Sequence, residues 1–533
     1  MESTELLSVR DLCVKAMRRG DREFPVRDVG FELNRGEVVC IVGESGSGKS
    51  VTANAILNLL PAGELALVKG SIRFDGTELT TLPRSRMRKI RGAQISMIFQ
   101  EPRAAINPVE RVGRQLLEVL EIHTDLSRPE ATERALDALA AVKLPDPRRV
   151  FAAYPHELSG GQLQRIMIAQ AMILDPAILI ADEPTTALDV TTQAQILTLI
   201  KEMQHRRGAG VLFVTHDFGV VADIADRVVV MRHGEVVEQG AVSQVLTEPS
   251  HPYTRMLLDS VPARTPPVRR PVPTDTVLAA SNVSKSYRLD AHKVLHALDH
   301  VSLRVSKGET LGIVGESGSG KTTLARCLIR LVDPNAGSMN LLGHEFLAMP
   351  EGELRPLRRS VQMVFQDPYR SLNPRRTVEQ AITEGPLNFG MSNEEARKRA
   401  RELIELVGLQ PNALSRYPHQ FSGGQRQRIC IARALALEPA LLIADEAVSA
   451  LDVSVQKQVL ELLDALRKRF QLAVIFITHD LRVAAQICDR VMVMHKGKVV
   501  EEGPTFDIFS NPQHAYTREL LGSAPGKNFR NAV

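Results

Sequence analysis

The chain carries one phosphate-binding pattern twice. The copies are GESGSGKS, from Gly43 to Ser50, and GESGSGKT, from Gly315 to Thr322, and each follows an apolar run. In such a loop the glycines let successive backbone N–H groups face a polyphosphate. The lysine reaches the β and γ phosphates, and the hydroxyl of the last residue binds magnesium. The two copies therefore predict two nucleotide sites, one around Lys49 and one around Lys321.

Two adjacent carboxylates follow an apolar run in each half. ILIADE ends in Asp182 and Glu183, and LLIADE ends in Asp445 and Glu446. The carboxyl end of a strand is where an open α/β sheet binds ligands. The first acid can hold magnesium, and the second can polarise an attacking water. A single Asp–Glu pair at a strand end is usually a solvated turn, but its place behind a phosphate loop favours a catalytic role.

Two further patterns are repeated in the same order. VTHD and ITHD place His216 and His479 after another apolar run. A histidine there can sense a γ phosphate or hold the water, although a lone histidine is more often structural. LSGGQLQR and FSGGQRQR each precede a helical pattern. Their serine and glycines predict a second anion site at a helix amino terminus, against the simpler interpretation of a flexible turn.

Composition excludes several classes of protein. The 533 residues include 66 basic and 62 acidic side chains, for a net charge of +4, which is too small an excess to indicate nucleic-acid binding. The five cysteines form no C-x-x-C pair, which favours packing roles in a reducing compartment. The amino terminus lacks a signal-peptide pattern, and no stretch approaches the roughly 18 apolar residues that span a bilayer. We therefore expect a cytosolic protein that reaches a membrane only by docking.

The repeat extends over both halves. Gly315 lies 272 positions after Gly43, whereas Asp445, His479 and Tyr516 each lie 263 positions after Asp182, His216 and Tyr253. A period this long indicates duplicated domains rather than a solenoid. The segment VPARTPPVRRPVPTDT contains five prolines in sixteen residues and is typical of an extended spacer. We predict domains at 1–260 and 277–533 with a linker at 261–276.

The apolar runs predict the elements that position these residues. VVCIVG, AILIAD and GVLFVT are typical of buried parallel strands packed between helices, so the predicted fold class is α/β. The segments VTANAILNLL and TLARCLIRLV predict helices after the phosphate loops, ending at Pro61 and near Pro334. Each helix would direct the positive end of its dipole at the phosphates.

Together, GESGSGKS, LSGGQ, IADEPTTALD and VTHD resemble the ATP-binding-cassette (ABC) family, once in each half. The resemblance implies two tandem P-loop NTPase domains of ABC type. Each would have a RecA-like parallel-sheet core, an antiparallel β subdomain and a helical signature subdomain. It also implies an internal pseudo-dimer, in which the two cassettes stack head to tail and bind two ATP molecules with Mg²⁺. Each phosphate loop would then face the Ser-Gly-Gly of the other cassette.

The resemblance also implies roles for individual residues. Glu183 and Glu446 would be general bases, and His216 and His479 would be switches. The expected metal ligands are Ser50, Gln100, Asp182, Thr322, Gln366 and Asp445. The expected ATP-binding residues are Gly43, Glu44, Ser45, Gly46, Ser47, Gly48, Lys49, Ser50, Val51, Gln100, Ser159, Gly160, Gly161, Gln162, Tyr287, Gly315, Glu316, Ser317, Gly318, Ser319, Gly320, Lys321, Thr322, Thr323, Gln366, Ser422, Gly423, Gly424 and Gln425.

The chain departs from the family pattern at a few positions. Tyr287 is expected to stack on adenine in the second half, whereas its counterpart in the first half is Ala16. The loops expected to couple the sites are Ala187-Leu188-Asp189 and Ala450-Leu451-Asp452. The second half has DEAVSALD for DEPTTALD and FSGGQ for LSGGQ, and neither change removes a catalytic group. We expect two hydrolytically competent sites, and whether their affinities for ATP are equal stays open at this point.

Two patterns resemble the oligopeptide, dipeptide and glutathione branch of importer ATPases. They are QEPRAAINP with QDPYRSLNP, and HPYTRMLL with QHAYTRELL. The branch implies two transmembrane permease subunits, contacted around Arg103, Asn107, Tyr369 and Asn373, and a periplasmic or lipid-anchored solute-binding protein. The chain would be two ATPase subunits fused in one, peripheral on the cytoplasmic face of the inner membrane.

Other functions stay open at this point. Nickel, an opine or a peptide antibiotic is an alternative solute. A soluble twin-cassette protein acting on ribosomes or nucleic acid is the alternative function, but it would need a basic surface or a long charged linker. A chromosome-maintenance cassette would need long heptad arms, which the sequence lacks.

Overall fold

A computed structural model describes residues 5–17, 22–185, 188–263, 265–267, 275–290, 293–449 and 451–526. Contacts divide the chain into two compact units, composed mainly of the residues up to Ser260 and of those from Val261 to Ala524. The exact limits of the linker stay a prediction, because 264 and 268–274 lie outside the described residues.

The strands up to Ser260 alternate with the helices that connect them. These strands are β1 (Glu5–Ala16), β2 (Val26–Asn34), β3 (Val38–Val42), β4 (Leu65–Phe74), β5 (Thr77–Glu78), β6 (Ile95–Ile98), β7 (Ile178–Asp182), β8 (Gly210–Thr215), β9 (Arg227–Arg232) and β10 (Glu235–Ala241). The helices are α1 (Lys49–Ile56), α2 (Arg84–Ile90), α3 (Pro102–Ala105), α4 (Val112–His123), α5 (Arg128–Ala141), α6 (Pro147–Ala152), α7 (Gly160–Met172), α8 (Val190–Arg207), α9 (Phe218–Ile224), α10 (Val242–Thr247) and α11 (Pro252–Ser260).

The second half repeats this order. Its strands are β11 (Thr276–Asp290), β12 (Lys293–Ser306), β13 (Thr310–Val314), β14 (Ala336–Leu341), β15 (His344–Glu345), β16 (Val361–Val364), β17 (Leu441–Asp445), β18 (Ala473–Ile477), β19 (Arg490–His495) and β20 (Lys498–Pro504). Its helices are α12 (Lys321–Leu328), α13 (Glu351–Ser360), α14 (Pro368–Ser371), α15 (Val378–Asn388), α16 (Asn393–Leu406), α17 (Gly423–Leu435), α18 (Val453–Phe470), α19 (Leu481–Ile487), α20 (Thr505–Ser510) and α21 (Ala515–Ser523).

Within the described residues, each unit has a mixed six-stranded sheet and an antiparallel four-stranded sheet. The larger sheets have the orders β10-β9-β3-β8-β7-β6 and β16-β17-β18-β13-β19-β20, parallel except for the edge strands β10 and β20. Strands β3, β7, β13 and β17 are buried along their whole length, as expected for parallel strands with both faces covered. The predicted α/β fold with its parallel core is confirmed.

Each cassette also has the two smaller parts that the resemblance implies. The antiparallel sheets are β2-β1-β4-β5 and β12-β11-β14-β15. Helical segments separate β6 from β7 and β16 from β17, and these segments contain α7 and α17, which begin at the Ser-Gly-Gly patterns. Connecting segments thus place the Ser-Gly-Gly patterns, while the sheets place the phosphate loops and the carboxylates.

The helices after the phosphate loops are shorter than predicted. Helix α1 ends at Ile56 rather than at Pro61, and α12 ends at Leu328 rather than near Pro334. Asn58 and Arg330 have φ angles of 51° and 50°, in the left-handed region that closes a helix. Leu59 and Leu331 then donate backbone hydrogen bonds of 2.9 Å to Asn54 and Arg326, respectively. The predicted ends were wrong because these turns stop the helices before the prolines.

The cysteines lie in the buried interior of the two units. All five cysteines are free and buried, in agreement with the predicted packing roles. Among the residues that the structure describes, no helix combines the length and the apolar character needed to cross a bilayer.

Candidate ATP-hydrolysis sites

The phosphate loops connect β3 to α1 and β13 to α12, and their backbone demands glycine at the first position. Gly43 and Gly315 have φ angles of 150° and 149°. A Cβ atom on either residue would lie 2.2 Å from a backbone oxygen, that of Met231 or that of Met494. Any larger residue would therefore displace the loop from the neighbouring strand end.

The loop lysines are buried against the loop itself. Lys49 and Lys321 are each 5% exposed. Lys49 Nζ donates to the carbonyl oxygens of Gly43 at 2.7 Å and Glu44 at 3.0 Å. Lys321 Nζ makes the equivalent bonds at 2.8 and 2.7 Å. Burial lowers the pKa of Lys321. Each loop therefore holds an ammonium group at its centre, where a polyphosphate would need a cation.

The hydroxyl that ends each loop contacts the first carboxylate of the acidic pair. Ser50 Oγ donates to Asp182 Oδ1 at 3.0 Å, and Thr322 Oγ1 donates to Asp445 Oδ1 at 3.4 Å. Both aspartates are 4% exposed, so they are not part of a solvated turn. Burial raises the pKa of each carboxyl to about 6.

These oxygen atoms fit magnesium. A hydroxyl and a carboxylate are hard oxygen ligands, and Mg²⁺ is usually held by one or two carboxylates together with substrate phosphates and water. No cluster of three or more His, Cys, Asp or Glu side chains able to hold a metal occurs in the described parts of the chain.

The hydroxyl of Ser47, inside the first phosphate loop, is buried without a hydrogen-bond partner among the described residues. A buried hydroxyl of this kind fits a loop shaped around an anion.

The second carboxylate of each pair is held by the two other predicted site residues. Gln100 Nε2 donates to Glu183 Oε2 at 2.9 Å, and His216 Nδ1 lies 3.2 Å from Glu183 Oε1. Glu183 has a φ of 45° and is 9% exposed. The left-handed backbone, disfavoured by about 1 to 2 kcal/mol for a residue with a Cβ, turns the glutamate away from the strand direction.

The second cassette has the same arrangement. Gln366 Nε2 donates to Glu446 Oε2 at 2.7 Å, His479 Nδ1 lies 3.5 Å from Glu446 Oε1, and Glu446 has a φ of 47°. Burial disfavours a charged His479, but the hydrogen bond and charge of Glu446 outweigh it and raise the pKa of His479. Burial also acts to raise the pKa of Glu446, yet the bond from His479 lowers it overall.

The Ser-Gly-Gly patterns lie at helix amino termini, as predicted. Ser159 caps α7, and its Oγ accepts from Gln162 N at 3.3 Å, while Gln162 Oε1 accepts from Ser159 N at 2.9 Å. Ser422 and Gln425 form the same capping box at 3.3 and 3.1 Å. The glutamines therefore have a local capping function in the structure.

The remaining predicted residues belong to the adenine-stacking position, to the loops expected to couple the sites, and to the phosphate loops with the helices that follow them. Tyr287 is 36% exposed and lies opposite Leu295 in the antiparallel sheet of the second cassette. In the first cassette Ala16 donates its N–H to Glu23 O, and its assignment as the counterpart of Tyr287 stays a prediction. Ala187 and Ala450 lie outside the described residues. The other residues predicted to bind ATP lie in the phosphate loops or the first turn of the following helix: Glu44, Ser45, Gly46, Gly48, Val51, Glu316, Ser317, Gly318, Ser319, Gly320 and Thr323.

Two kinds of contact with the phosphate loops were not predicted from the sequence. Tyr253 and Tyr516, noted above only as parts of a repeated pattern, hydrogen-bond to Glu44 and Glu316. Arg22 Nη1 donates to Gly46 O at 3.0 Å in the first cassette. The 263-residue spacing of the two tyrosines was the available signal, but it does not show which loop they contact.

The fold and these sites define a tandem P-loop ATPase. The ABC transporter family model matches residues 26–186 and 298–449. A second model, the C-terminal region of oligopeptide/dipeptide transporters, matches residues 237–284 and 500–532. The chain therefore belongs to the ABC transporter family as an ATPase with two ATP-binding cassettes.

Similar proteins extend over nearly the whole chain. Peptidoglycan transport ATP-binding protein YejF of Agrobacterium fabrum is 47% identical over 97% of this chain and 96% of its own length. Glutathione import ATP-binding protein GsiA is 45% identical in Salmonella typhimurium and 46% identical in Escherichia coli O157:H7, in each case over 98% of this chain and 90% of the relative.

Proposed function

We propose that this chain is the fused ATPase subunit of an importer for peptide-type solutes, including glutathione-like ones. The proposal is carried by one observation: a phosphate loop, an acidic pair, a glutamine and a histidine come together twice, and each set is followed by a match to oligopeptide/dipeptide transporters. The full-length similarity to glutathione and peptidoglycan import or transport proteins supports the same solute class.

The proposed chemistry follows from the contacts in each cassette. The loop N–H groups and Lys49 would bind the phosphates, and the Glu183 carboxylate would take a proton from the attacking water. Mg²⁺, held through Ser50, Asp182 and Gln100, would neutralise charge on the phosphates. In the structure Glu183 accepts a hydrogen bond from Gln100 and lies 3.2 Å from His216, and these two contacts orient the carboxylate that would act as the base.

Each loop is also proposed to need the Ser-Gly-Gly of the other cassette. This pairing rests on the family resemblance and stays a prediction. It assigns Ser422, Gly423 and Gly424 to the ATP bound at Lys49, and Ser159, Gly160 and Gly161 to the ATP bound at Lys321.

The proposed partners are two permease subunits and, indirectly, a solute-binding protein. The protein would then lie peripherally on the cytoplasmic face of the inner membrane. Exposed large side chains in the segments around Gln100 and Gln366 offer contact surface: Phe99 is 39%, Val109 78% and Tyr369 64% exposed. Asn107 and Asn373 instead accept local backbone hydrogen bonds, from Val109 and Arg375. We therefore assign the main permease contact to the apolar side chains.

A transport assay tests the function. A strain lacking this gene and its permease genes is complemented with the full system, and uptake of labelled dipeptide, oligopeptide, glutathione and peptidoglycan peptides is measured. Nickel, an opine and a peptide antibiotic serve as the alternative solutes. Uptake of a peptide-type solute that is lost in Glu183→Gln/Glu446→Gln supports the proposal. ATP turnover without any association with a permease would instead favour the soluble twin-cassette alternative.

A further inference from the structure

We infer that Tyr253 and Tyr516 are positioning residues whose hydroxyl groups hold the first turn of the phosphate loop and so set the affinity of each cassette for ATP. The inference rests on the proposed ATP hydrolysis. It concerns the region matched to oligopeptide/dipeptide transporters, which contains both tyrosines.

The hydroxyl contacts the same loop residue in both cassettes. Glu44 N donates to Tyr253 Oη at 3.2 Å, and Tyr253 Oη also lies 3.2 Å from Glu44 Oε2, to which it can donate. In the second cassette, Glu316 N donates to Tyr516 Oη at 3.1 Å. Tyr253 is 4% exposed, so water cannot readily replace its hydroxyl.

The tyrosine and the loop lysine act on one residue from opposite ends. The N–H of Glu44 bonds to Tyr253, while its carbonyl oxygen accepts from Lys49 Nζ. Gly43, immediately before it, leaves no room for a Cβ against Met231 O. The start of the loop is therefore held between a strand end and the tyrosine, and this arrangement supports the lysine. Such preorganisation improves affinity, because less ordering is needed when the phosphates bind.

The helix that carries each tyrosine is itself anchored. Glu238 on β10 accepts from Ser250 N at 2.7 Å and His251 N at 3.2 Å. His251 Nδ1 in turn accepts from Tyr253 N at 3.1 Å.

The second cassette repeats these bonds. Glu501 accepts from Gln513 N at 2.7 Å and His514 N at 3.0 Å, and His514 Nδ1 accepts from Tyr516 N at 3.2 Å. The hydroxyl is thus placed by a rigid segment of the main chain in both halves.

The surroundings of the two rings differ, whereas the hydroxyl contact does not. The guanidinium of Arg232 lies 4.7 Å from the centre of the Tyr253 ring. The ring of His495 lies 4.0 Å from that of Tyr516, tilted by 42°. Ring packing alone would not require a hydroxyl in both places. The common feature is the bond to the loop, which phenylalanine would lack.

The test uses the full chain with one cassette active at a time. Tyr253→Phe is made in a Lys321→Ala background, and Tyr516→Phe in a Lys49→Ala background. Because the chain contains no tryptophan, binding is followed by the fluorescence of a labelled ATP analogue. We expect the Kd and KM for ATP to rise about two- to tenfold, the effect of losing one net hydrogen bond, with kcat changed less than twofold. Tyr417→Phe, at a 41% exposed tyrosine, is the matched control and should leave the Kd unchanged.

An unchanged Kd in both tyrosine variants would overturn the inference, whether or not their melting temperatures fall. If a tyrosine variant does not fold, the inference is tested with Glu238→Gln or Glu501→Gln instead. Each of these changes weakens the bonds that hold the start of the tyrosine helix and does not contact the phosphate loop. A raised Kd for ATP then supports the inference, and an unchanged Kd overturns it. Hydrolysis by the unmodified chain is measured in parallel. Its absence would contradict the proposed function itself, whereas normal hydrolysis with unaffected tyrosine variants would contradict only this inference.

Discussion

The side-chain amide of Gln366 donates a hydrogen bond of 2.7 Å to Oε2 of Glu446, and these two residues lie 80 positions apart. Gln100 makes the corresponding bond to Glu183. A glutamine in each segment proposed to contact the permease therefore bonds directly to the proposed general base. A permease contact that moves the glutamine would change the bonding of the glutamate.

This relationship predicts the behaviour of glutamine variants. Gln100→Ala and Gln366→Ala should lower ATP turnover without permease, because each removes a proposed Mg²⁺ ligand, but turnover should stay measurable since the glutamate and the loop remain. Stimulation of turnover by the assembled permease should be lost, because the link to the glutamate is removed. Gln94→Ala, at an exposed residue before β6, is the control. Full stimulation in both glutamine variants would contradict the proposed link.

The two cassettes are predicted to hydrolyse ATP separately. Glu183→Gln and Glu446→Gln should each lower turnover, because each removes one general base, and the double variant should fall by about 10²- to 10⁴-fold. Steady-state phosphate release measures both effects. If one single variant keeps the full rate, the corresponding site does not contribute and the prediction of two competent sites is wrong.

The ion pair of His479 predicts a pH-dependent stability. Because the folded pKa of His479 lies above its ordinary value of 6.5, the protonated pair stabilises the fold fully below that pH. The stabilisation disappears as the pH rises through the folded pKa.

The melting temperatures of the unmodified chain and of His479→Gln, recorded from about pH 5.5 to 9, measure this effect. Their difference should shrink with increasing pH. His419→Gln, at an exposed histidine, should show no such trend. A constant difference for His479→Gln would show that the ion pair does not contribute.

The loop glycines predict a sharp contrast between two alanine substitutions. Gly315→Ala should abolish ATP binding in the second cassette, since its Cβ would lie 2.2 Å from Met494 O. Gly352→Ala is the matched control, because a Cβ there meets nothing within 4 Å and the residue lies in α13. It should keep ATP binding and raise stability by up to about 1 kcal/mol. Labelled-ATP titration and thermal unfolding measure the two effects, and normal binding by Gly315→Ala would contradict the loop geometry.

The proposed pairing of the cassettes predicts an effect across the chain. In a Lys321→Ala background, Ser422→Ala should lower turnover at the Lys49 site, although Ser422 belongs to the second half. Ser159→Ala in the same background should have a smaller effect, since its proposed partner is already inactive. Equal rates for Ser422→Ala and its background would exclude the pairing.

The residues after each phosphate loop show where sequence patterns mislead. Apolar periodicity continues to Leu60, so a helix ending at Pro61 was a reasonable prediction. The backbone instead turns at Asn58, where a left-handed residue closes the helix. Periodicity records which side chains can be buried, whereas the end of a helix depends on the conformation of single residues.

Local patterns were enough to predict the buried parallel strands in VVCIVG, AILIAD and GVLFVT, the phosphate loops, the acidic pairs and the helix-capping serines, because each depends on residues close together in the chain. The antiparallel sheets were expected only from the family resemblance. The tertiary structure alone joined Gln100 to Glu183, 83 positions away, and Tyr253 to Glu44, 209 positions away. It also buried the aspartates, which raises the pKa of each to about 6. These features depend on which strand ends and helices meet at one edge of a sheet, and spacing in a single sequence does not specify that.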